Sequence, residues 1–467
     1  MILGAWSPLQ WLALAEHELL LFAGVFFLIG FADELVVDCA WAWLRLTGRA
    51  RTLRIRRDNH RHAPLAGPAA LLIPAWQEER VLATTIAHAL RAWPQRLLRI
   101  YVGCYRNDAA TAEAIVCGTG ADSRVRLVVH DREGPTTKAD CLNRLYAAMD
   151  ADERRSGTRF HMVLQHDAED MVDSAALGLL DAALERADFV QLPVLPEPQA
   201  ASRWIGSHYC EEFAEAHGKA MVVRSELGVA LSAAGVGCAF SREMLGAISA
   251  EMRGAGPFSV DSLTEDYELG LKIKAAGGRA SFLRARGEDG RLVATRACFP
   301  PTLQQAVRQK ARWVHGIALQ GWDRLGWSGG LAERWMRLRD RRGPLGALVL
   351  FAGYALLVLA SVLWLAERLG FARPWEPSGA LLVVLWANLA SFAWRTLVRF
   401  AFTAREYGWA EGLRAVLRLP HANVIAIMAG RRALAAYVAS LFGARPRWEK
   451  TQHHSHPAEL CRLKAAA

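Results

Sequence analysis

Residues 345 to 366, LGALVLFAGYALLVLASVLWLA, form 22 consecutive uncharged positions. The hydrocarbon core of a bilayer takes about 20 apolar residues of helix, so this run reads as a transmembrane helix. The rest of the chain must then divide itself between lipid, interface and water. A second span is expected over Gly379 to Phe402, and another over Leu19 to Leu44. The latter carries Asp33, Glu34 and Asp38 in its second half. Intramembrane acids are costly and find partners or a polar cavity. Either the span ends near Ala32 and the acids lie at the interface, or Arg395 and Arg399 of the later span neutralise them. Residues 421 to 442 are apolar but broken by Arg431 and Arg432, which favours a helix lying in the interface over a crossing.

The 467 residues are 52% hydrophobic and 22% charged, so a large water-facing unit must accompany the spans. The net charge of +10 is compatible with nucleic acid, an anionic membrane or an anionic substrate. Its distribution chooses among them. Seven arginines between Arg45 and Arg61 follow the first span, and residues 334–342 are again arginine-rich. Both are flanks expected on the cytoplasmic side. No basic motif with interleaved aromatics occurs, so no nucleic-acid partner is expected. The predicted topology is N-terminus outside, one span in, a cytoplasmic catalytic domain, two spans, and a cytoplasmic tail. Eight cysteines without a CxxC pair argue against a disulfide framework or zinc site. The N-terminus lacks the basic region and small-x-small site of a cleavable signal peptide.

From Ala69 to Phe189 short apolar runs, ALLIP, LRIYVG, VRLVV, HMVLQ and FVQLP, alternate with helix-like stretches such as 79–92 and 137–149. That alternation predicts βαβ units and a parallel sheet, with ligands beyond the carboxyl ends of the strands. The acidic stretch HDAED (166–170) directly follows HMVLQ at one such end. In extended backbone Asp167 and Glu169 point the same way and could share a hard cation, while Asp170 points elsewhere and supports the turn or caps the helix near Ser174. An acidic loop facing water is the plainer alternative. IPAWQEE (73–79) offers Trp76 and Glu78 at another strand end, although a lone Trp there is more often a packing residue. Lys138, in GPTTKADCLN, opens a helix and suits a phosphate, or simply solvent. In LTEDYELGLKI (263–273) Thr264 is a natural cap, and a carboxylate, Glu265 or Asp266, suits a general base if folded beside the metal. Residues 302–327 mix basic residues with Trp, Leu and Val at helical spacing, as an interfacial amphipathic helix does.

The ordered set IPAWQEE, YRND, KADCLN, HDAED, GVGCAFSR, TED and QKARW resembles the membrane-integrated family-2 glycosyltransferases, which include cellulose and hyaluronan synthases. Within them, HDAED, LTEDYELGLKI, RQKARWVHGIALQGW and KTQHHSHP are most similar to the NfrB-type phage adsorption proteins. The resemblance spans roughly residues 30 to 456. It implies an α/β, GT-A-like nucleotide-sugar-binding domain with transmembrane and interfacial helices, located in the bacterial inner membrane. It implies inverting, metal-dependent transfer of a hexosyl or N-acetylhexosaminyl group from a nucleotide-diphosphate sugar to a growing surface glycan. Trp76, Glu78 and Asp108 would hold the nucleotide and Lys138 its phosphates. Asp167 and Glu169 would bind Mg2+ or Mn2+, with Asp167 also touching the donor. Asp266, with Glu265 beside it, would take the acceptor proton. Gln309, Arg312 and Trp313 would meet acceptor and diphosphate.

The implied partners are the donor sugar, a glycan or lipid acceptor, membrane lipids, and an outer-membrane or export partner. The implied units are 1–62 (span and basic flank), 63–300 (glycosyltransferase domain), 301–343 (amphipathic helices), 344–404 (two spans) and 405–467 (interfacial helices and tail). Two departures stand out. The metal motif is Asp-x-Glu, not the commoner Asp-x-Asp, and GCYRND (103–108) replaces an acidic pair, which leaves the base and the role of Asp108 open. Longer relatives carry a cyclic-di-GMP-binding regulatory domain, so such regulation is expected to be absent here or supplied in trans. The histidines of HHSHP (453–457) are expected to be a solvated tail. Transfer of one sugar to a polyprenyl phosphate and a non-catalytic membrane receptor are the competing readings.

Overall fold

The computed structural model describes residues 6–371, 378–444 and 456–459. At its centre is a seven-stranded sheet in the spatial order Val125–His130, Leu98–Tyr105, Ala69–Pro74, Met162–Gln165, Cys238–Ser241, Phe189–Gln191, Ala280–Phe282. The first four strands are mutually parallel. Leu71 lies opposite both Ile100 and Leu164 in this register, and all three side chains are fully buried. Helices cover both faces, which is why the strands read as continuous apolar runs.

The sheet departs from the all-parallel expectation at one place. Cys238–Ser241 runs antiparallel between Met162–Gln165 and Phe189–Gln191. Gly235 and Gly237, with φ of 72° and 61°, turn the chain just before it, so this strand enters from the edge where its parallel neighbours end. The loop 234–237 therefore faces the same edge as HDAED.

The predicted helices are present with shifted ends. Leu82–Ala92 starts three residues later than expected, because Glu78 to Val81 form a turn. Lys138–Ser156 continues past 149 through charged helix formers and stops at Gly157, whose φ is 68°. The amphipathic segment forms Leu303–Trp313, a π-helical stretch Val314–Gln320, and Gly321–Leu325.

Four helices are long and apolar enough to cross a membrane: Pro8–Leu46, Gly343–Arg368, Gly379–Tyr407 and Leu419–Leu441. The first three pack together, with Gly353 close to Phe27 and the Asn388 amide donating to the Gly24 carbonyl at 3.0 Å. The fourth differs. Near its start the His421 ring stacks on Trp204 at 5.2 Å, and Ile425 packs with Tyr209, Ala306 and Val307. Towards its end the Tyr437 hydroxyl donates to Asp323 at 2.8 Å. Both halves of this helix thus touch the sheet domain or the amphipathic segment. Just ahead of it, the fully buried Arg418 makes a two-pronged bond to Glu211 (3.1 and 2.7 Å) and pairs with Glu411.

The acids of the first helix are neutralised mainly from the sheet domain's side. Lys219, almost fully buried on the π-helical turn Ala216–Ala220, pairs with Asp38, with Glu215 at 2.8 Å and with Glu34 at 3.5 Å. Arg339 and Arg342 both pair with Asp33 and Glu34. Of the two expected partners, Arg395 reaches Glu34 at 3.6 Å and Asp38 at 3.9 Å but is held closest by Glu215, at 2.6 Å. Arg399 instead directs its charge at Glu211, Glu212 and Glu215.

Candidate active site

The carboxyl ends of the strands Ala69–Pro74, Leu98–Tyr105 and Met162–Gln165 converge on one edge, where a ligand pocket is expected in such sheets. Beyond Gln165 the extended backbone expected over HDAED is not kept: the strand ends and Asp167 to Asp170 form a turn, with the Asp170 N–H donating to the Asp167 carbonyl at 3.3 Å. Asp167 and Glu169 are half-buried and face outward, while Ala168 and Asp170 are buried. Asp170 does support the turn: its Oδ2 accepts the Asp167 N–H at 2.9 Å and faces His166 Nδ1 at 2.9 Å. It does not cap the following helix, which begins at Ala176, where Asp173 accepts the Ala175 N–H instead. Burial pushes the Asp170 carboxyl above the ordinary range, against the opposing pull of His166.

Lys138 is the centre of the site's electrostatics. Thr137 caps its helix by accepting the Asp140 N–H at 3.1 Å, which aims the first turn at this edge. The Lys138 ammonium lies 2.6 Å from Asp167 and 3.7 Å from Glu265, with only 15% of the side chain exposed. Burial alone would lower its pKa, but Asp167, Glu265 and Asp266 together hold it above the usual lysine value. A solvated first-turn lysine is therefore not what the fold makes of it. Gly235 closes the cluster from the opposite loop, where any side chain would run into Asp266 and Lys138.

Thr264, Glu265 and Asp266 open the helix Glu265–Ala275, whose first turn is acidic as its dipole favours. The Thr264 side chain makes no cap bond; it packs on Gly316 of the π-helical stretch. Burial pushes the Glu265 carboxyl up to about 7, with Lys138 opposing and Asp266 adding to the rise. Burial likewise raises Asp266, with Lys138 opposing. A carboxyl raised in this way is suited to taking a proton near neutral pH.

The amphipathic segment is brought to these acids from 47 residues downstream of Asp266. The Leu263 N–H donates to Gln320 at 3.0 Å, and Arg312 contributes positive charge to both Glu265 and Asp266. Among the described residues, Gln309 Oε1 and Arg312 Nε are buried with no hydrogen-bond partner. A buried polar atom left unpaired is costly, and a bound polar ligand would satisfy both. Trp313 is different: its ring packs edge-on against Tyr209 at 6.0 Å and near Phe213 and Phe299, so it works as a packing aromatic here. The π-helical turn after it breaks the regular ladder, as such turns do at functional sites.

The remaining candidates are positioned more by the scaffold than by open space. Trp76 is 8% exposed and sits edge-to-face on Tyr105 at 5.2 Å, and Tyr105 stacks on His130 at 4.9 Å. Asp108 accepts the Gln77 N–H at 2.6 Å and the Thr111 N–H at 3.3 Å, tying two strand-end loops together. Glu78, also buried, has its N–H on Thr111 Oγ1 at 3.0 Å. Sequence reasoning missed Gln191, which is fully buried and holds the 234–237 loop by accepting from Ala234 and donating to Val236, at 2.9 and 2.8 Å.

For a metal, the donor chemistry fits. Among the described residues no three His, Cys, Asp or Glu side chains gather into a closed site. Asp167 and Glu169 offer oxygen ligands that a hard cation prefers, and Asp167 already holds a cationic ammonium. The remaining ligands would come from the phosphates of a bound donor.

The α/β domain thus gathers an acidic strand-end motif, a buried lysine and a second acidic helix start at one edge of its sheet. The chain belongs to glycosyltransferase family 2: the model described as glycosyltransferase like family 2 matches residues 66–316. Its fold is GT-A-like. The chain is 32% identical over 446 residues to bacteriophage adsorption protein B of Escherichia coli strain K12, and equally to bacteriophage N4 adsorption protein B of E. coli O157:H7. The match covers 90% of this chain and 60% of each relative, so the chain spans less than two thirds of their length. Among solved structures, a mannosyltransferase from Pyrobaculum calidifontis in complex with GDP-Man and Mn2+ aligns with TM-score 0.48 and 15% identity, covering 88% of this chain and 98% of that one. The glucosyl-3-phosphoglycerate synthase of Mycobacterium tuberculosis with Mn2+ and UDP aligns with TM-score 0.32 and 16% identity, over 57% of this chain and 81% of that one.

Proposed function

We propose that the chain transfers a hexosyl or N-acetylhexosaminyl group from a nucleotide-diphosphate sugar to a growing surface glycan, with inversion, at the bacterial inner membrane. The observation that carries this reading is the meeting of Lys138 with Asp167 on one side and Glu265 on the other. That contact joins the candidate metal motif to the candidate base. Lys138, beside Asp167, would meet the diphosphate of the donor. Mg2+ or Mn2+, held by Asp167 and Glu169, would neutralise the charge of the leaving diphosphate. Asp266 takes the proton of the acceptor hydroxyl, and Glu265 keeps the pair's affinity for that proton high. Arg312 directs its charge at the same acids, Gln309 stands about one turn before it on the same helix, Trp313 braces that helix, and Trp76, Glu78 and Asp108 shape the nucleotide end.

The catalytic domain lies on the cytoplasmic side in this reading, next to the arginine-rich flanks. The chain crosses three times, and Leu419–Leu441 lies along the interface. Its contacts with Trp204 of the sheet domain near one end and with Asp323 of the amphipathic segment near the other support that placement. Incubating membranes containing the protein with radiolabelled sugar nucleotides, with and without Mn2+, tests the whole reading. Label transfer that requires Mn2+ is expected; no transfer from any donor sinks it. Product size separates a polymer ladder from a single lipid-linked sugar.

A further inference from the structure

The histidine-rich tail found no role in this chemistry, yet one member of it is fully buried against the metal motif. His456 is 0% exposed. Its Nδ1 accepts the Ala458 N–H at 3.1 Å, which places the ring proton on Nε2, and Nε2 donates to the Asp170 carbonyl at 3.2 Å. Glu459, one helical turn on, accepts from Thr84 Oγ1 at 3.1 Å.

The motif loop is otherwise pinned from within the sheet domain. Thr85 Oγ1 donates to the Ala168 carbonyl at 2.5 Å, the Met171 N–H donates to Arg296 at 2.8 Å, and the Asp170 side chain holds the Asp167 N–H. The Asp170 carbonyl is the one of these points held by the tail. The Asp170 side chain holds the Asp167 N–H, so a shift of the Asp170 backbone would carry the Asp167 backbone with it and move the carboxylate relative to Lys138. We propose that His456 is a positioning residue for the metal motif: its Nε2–H, delivered by the segment that follows the last membrane-associated helix, locks Asp170 so that Asp167 and Glu169 face the donor. This inference rests on the reading of Asp167 and Glu169 as metal ligands.

The test uses the full chain in detergent, with Mn2+ alone as the probe, followed by the loss of its free-ion paramagnetic resonance signal. Amide hydrogen exchange is read over peptides covering 165–172. His456→Gln keeps an N–H donor at the same reach; His456→Leu keeps volume but no donor; Glu459→Gln loosens the Thr84 contact without touching Asp170. Outer partners of metal ligands typically change affinity about 10- to 100-fold, so His456→Leu is expected to weaken Mn2+ by at least about tenfold. It should also speed exchange over 165–172 while leaving the other strands protected. His456→Gln should stay within about threefold of the parent, and Glu459→Gln should be unchanged. Equal behaviour of the Leu and Gln variants overturns the proposal, as does a Glu459→Gln loss as large as that of His456→Leu. A parent protein with no saturable Mn2+ binding overturns the metal reading, and the exchange comparison then still decides whether His456 positions the loop.

Discussion

Lys138 and Asp167 meet at 2.6 Å across the carboxyl edge of the sheet, and the same ammonium lies 3.7 Å from Glu265. One buried cation thus serves acids from two distant segments of the chain, so its removal should be felt in both stability and turnover. In Lys138→Met the carboxylates of Asp167, Glu265 and Asp266 lose their shared counter-charge. Breaking a buried ion pair by removing one partner costs about 3–5 kcal/mol. Thermal unfolding in detergent at pH 7.5 should show a loss of that order, and the loss should be smaller at pH 5, where Glu265, pushed up to about 7, holds its proton. A variant as stable as the parent at both pH values contradicts the electrostatic account.

Glu265 gives the site a pH signature. Burial pushes its folded carboxyl up to about 7, against an ordinary value of 4.5, so the folded state binds the proton more tightly than the unfolded chain. That contribution to stability is fully present below about pH 4.5 and is lost as pH rises through about 7. Glu265→Gln should flatten the decline in unfolding free energy between those limits, read from denaturant titrations. Turnover should move the opposite way, rising with pH across the same window as the acidic pair gives up its proton. A decline as steep in Glu265→Gln as in the parent would show that another group is responsible.

The clasp between the first membrane helix and the sheet domain makes a third prediction. Lys219→Met leaves Asp38, Glu34 and Glu215 facing one another with less positive charge, and should lower the unfolding temperature strongly. Adding Glu215→Gln should restore part of the loss, because it removes one of the uncompensated charges. Double-mutant stability without any recovery would mean that the clasp acts through packing and not through charge.

The fourth long helix can be placed by labelling. Cysteine introduced at Val438, an exposed position near the end of Leu419–Leu441, should react with a membrane-impermeant maleimide only after the inner membrane is opened. Reaction in intact spheroplasts would put that end on the outer side and give the chain a fourth crossing.

The site was legible in proportion to how local its determinants are. HDAED showed its own sorting but not its cause: burial separates Asp167 and Glu169 from Asp170 as alternation would, while the backbone after Gln165 is a turn and not extended strand. Lys138 was legible as a helix-start residue but not as a buried one, since its burial depends on the loop at Gly235 and the acids of Glu265–Ala275. Asp33, Glu34 and Asp38 announced that partners must exist. The identity of those partners, Lys219, Arg339 and Arg342, is set by three-dimensional packing between distant segments that no periodicity records. Trp76 and Asp108 show the converse limit. Their residue types suited nucleotide contact, while the fold engages them in an aromatic stack and in two backbone bonds.

In the proposed reaction Asp266 takes the acceptor proton beside a metal that Asp167 would hold. Turnover of the radiolabelled sugar nucleotide by purified Asp266→Asn protein with Mn2+ tests it most directly, with donor binding measured on the same sample. A positioned general base contributes about 10²- to 10⁴-fold, so turnover should fall by at least about a hundredfold while donor binding is kept. Turnover equal to that of the parent protein would contradict the account.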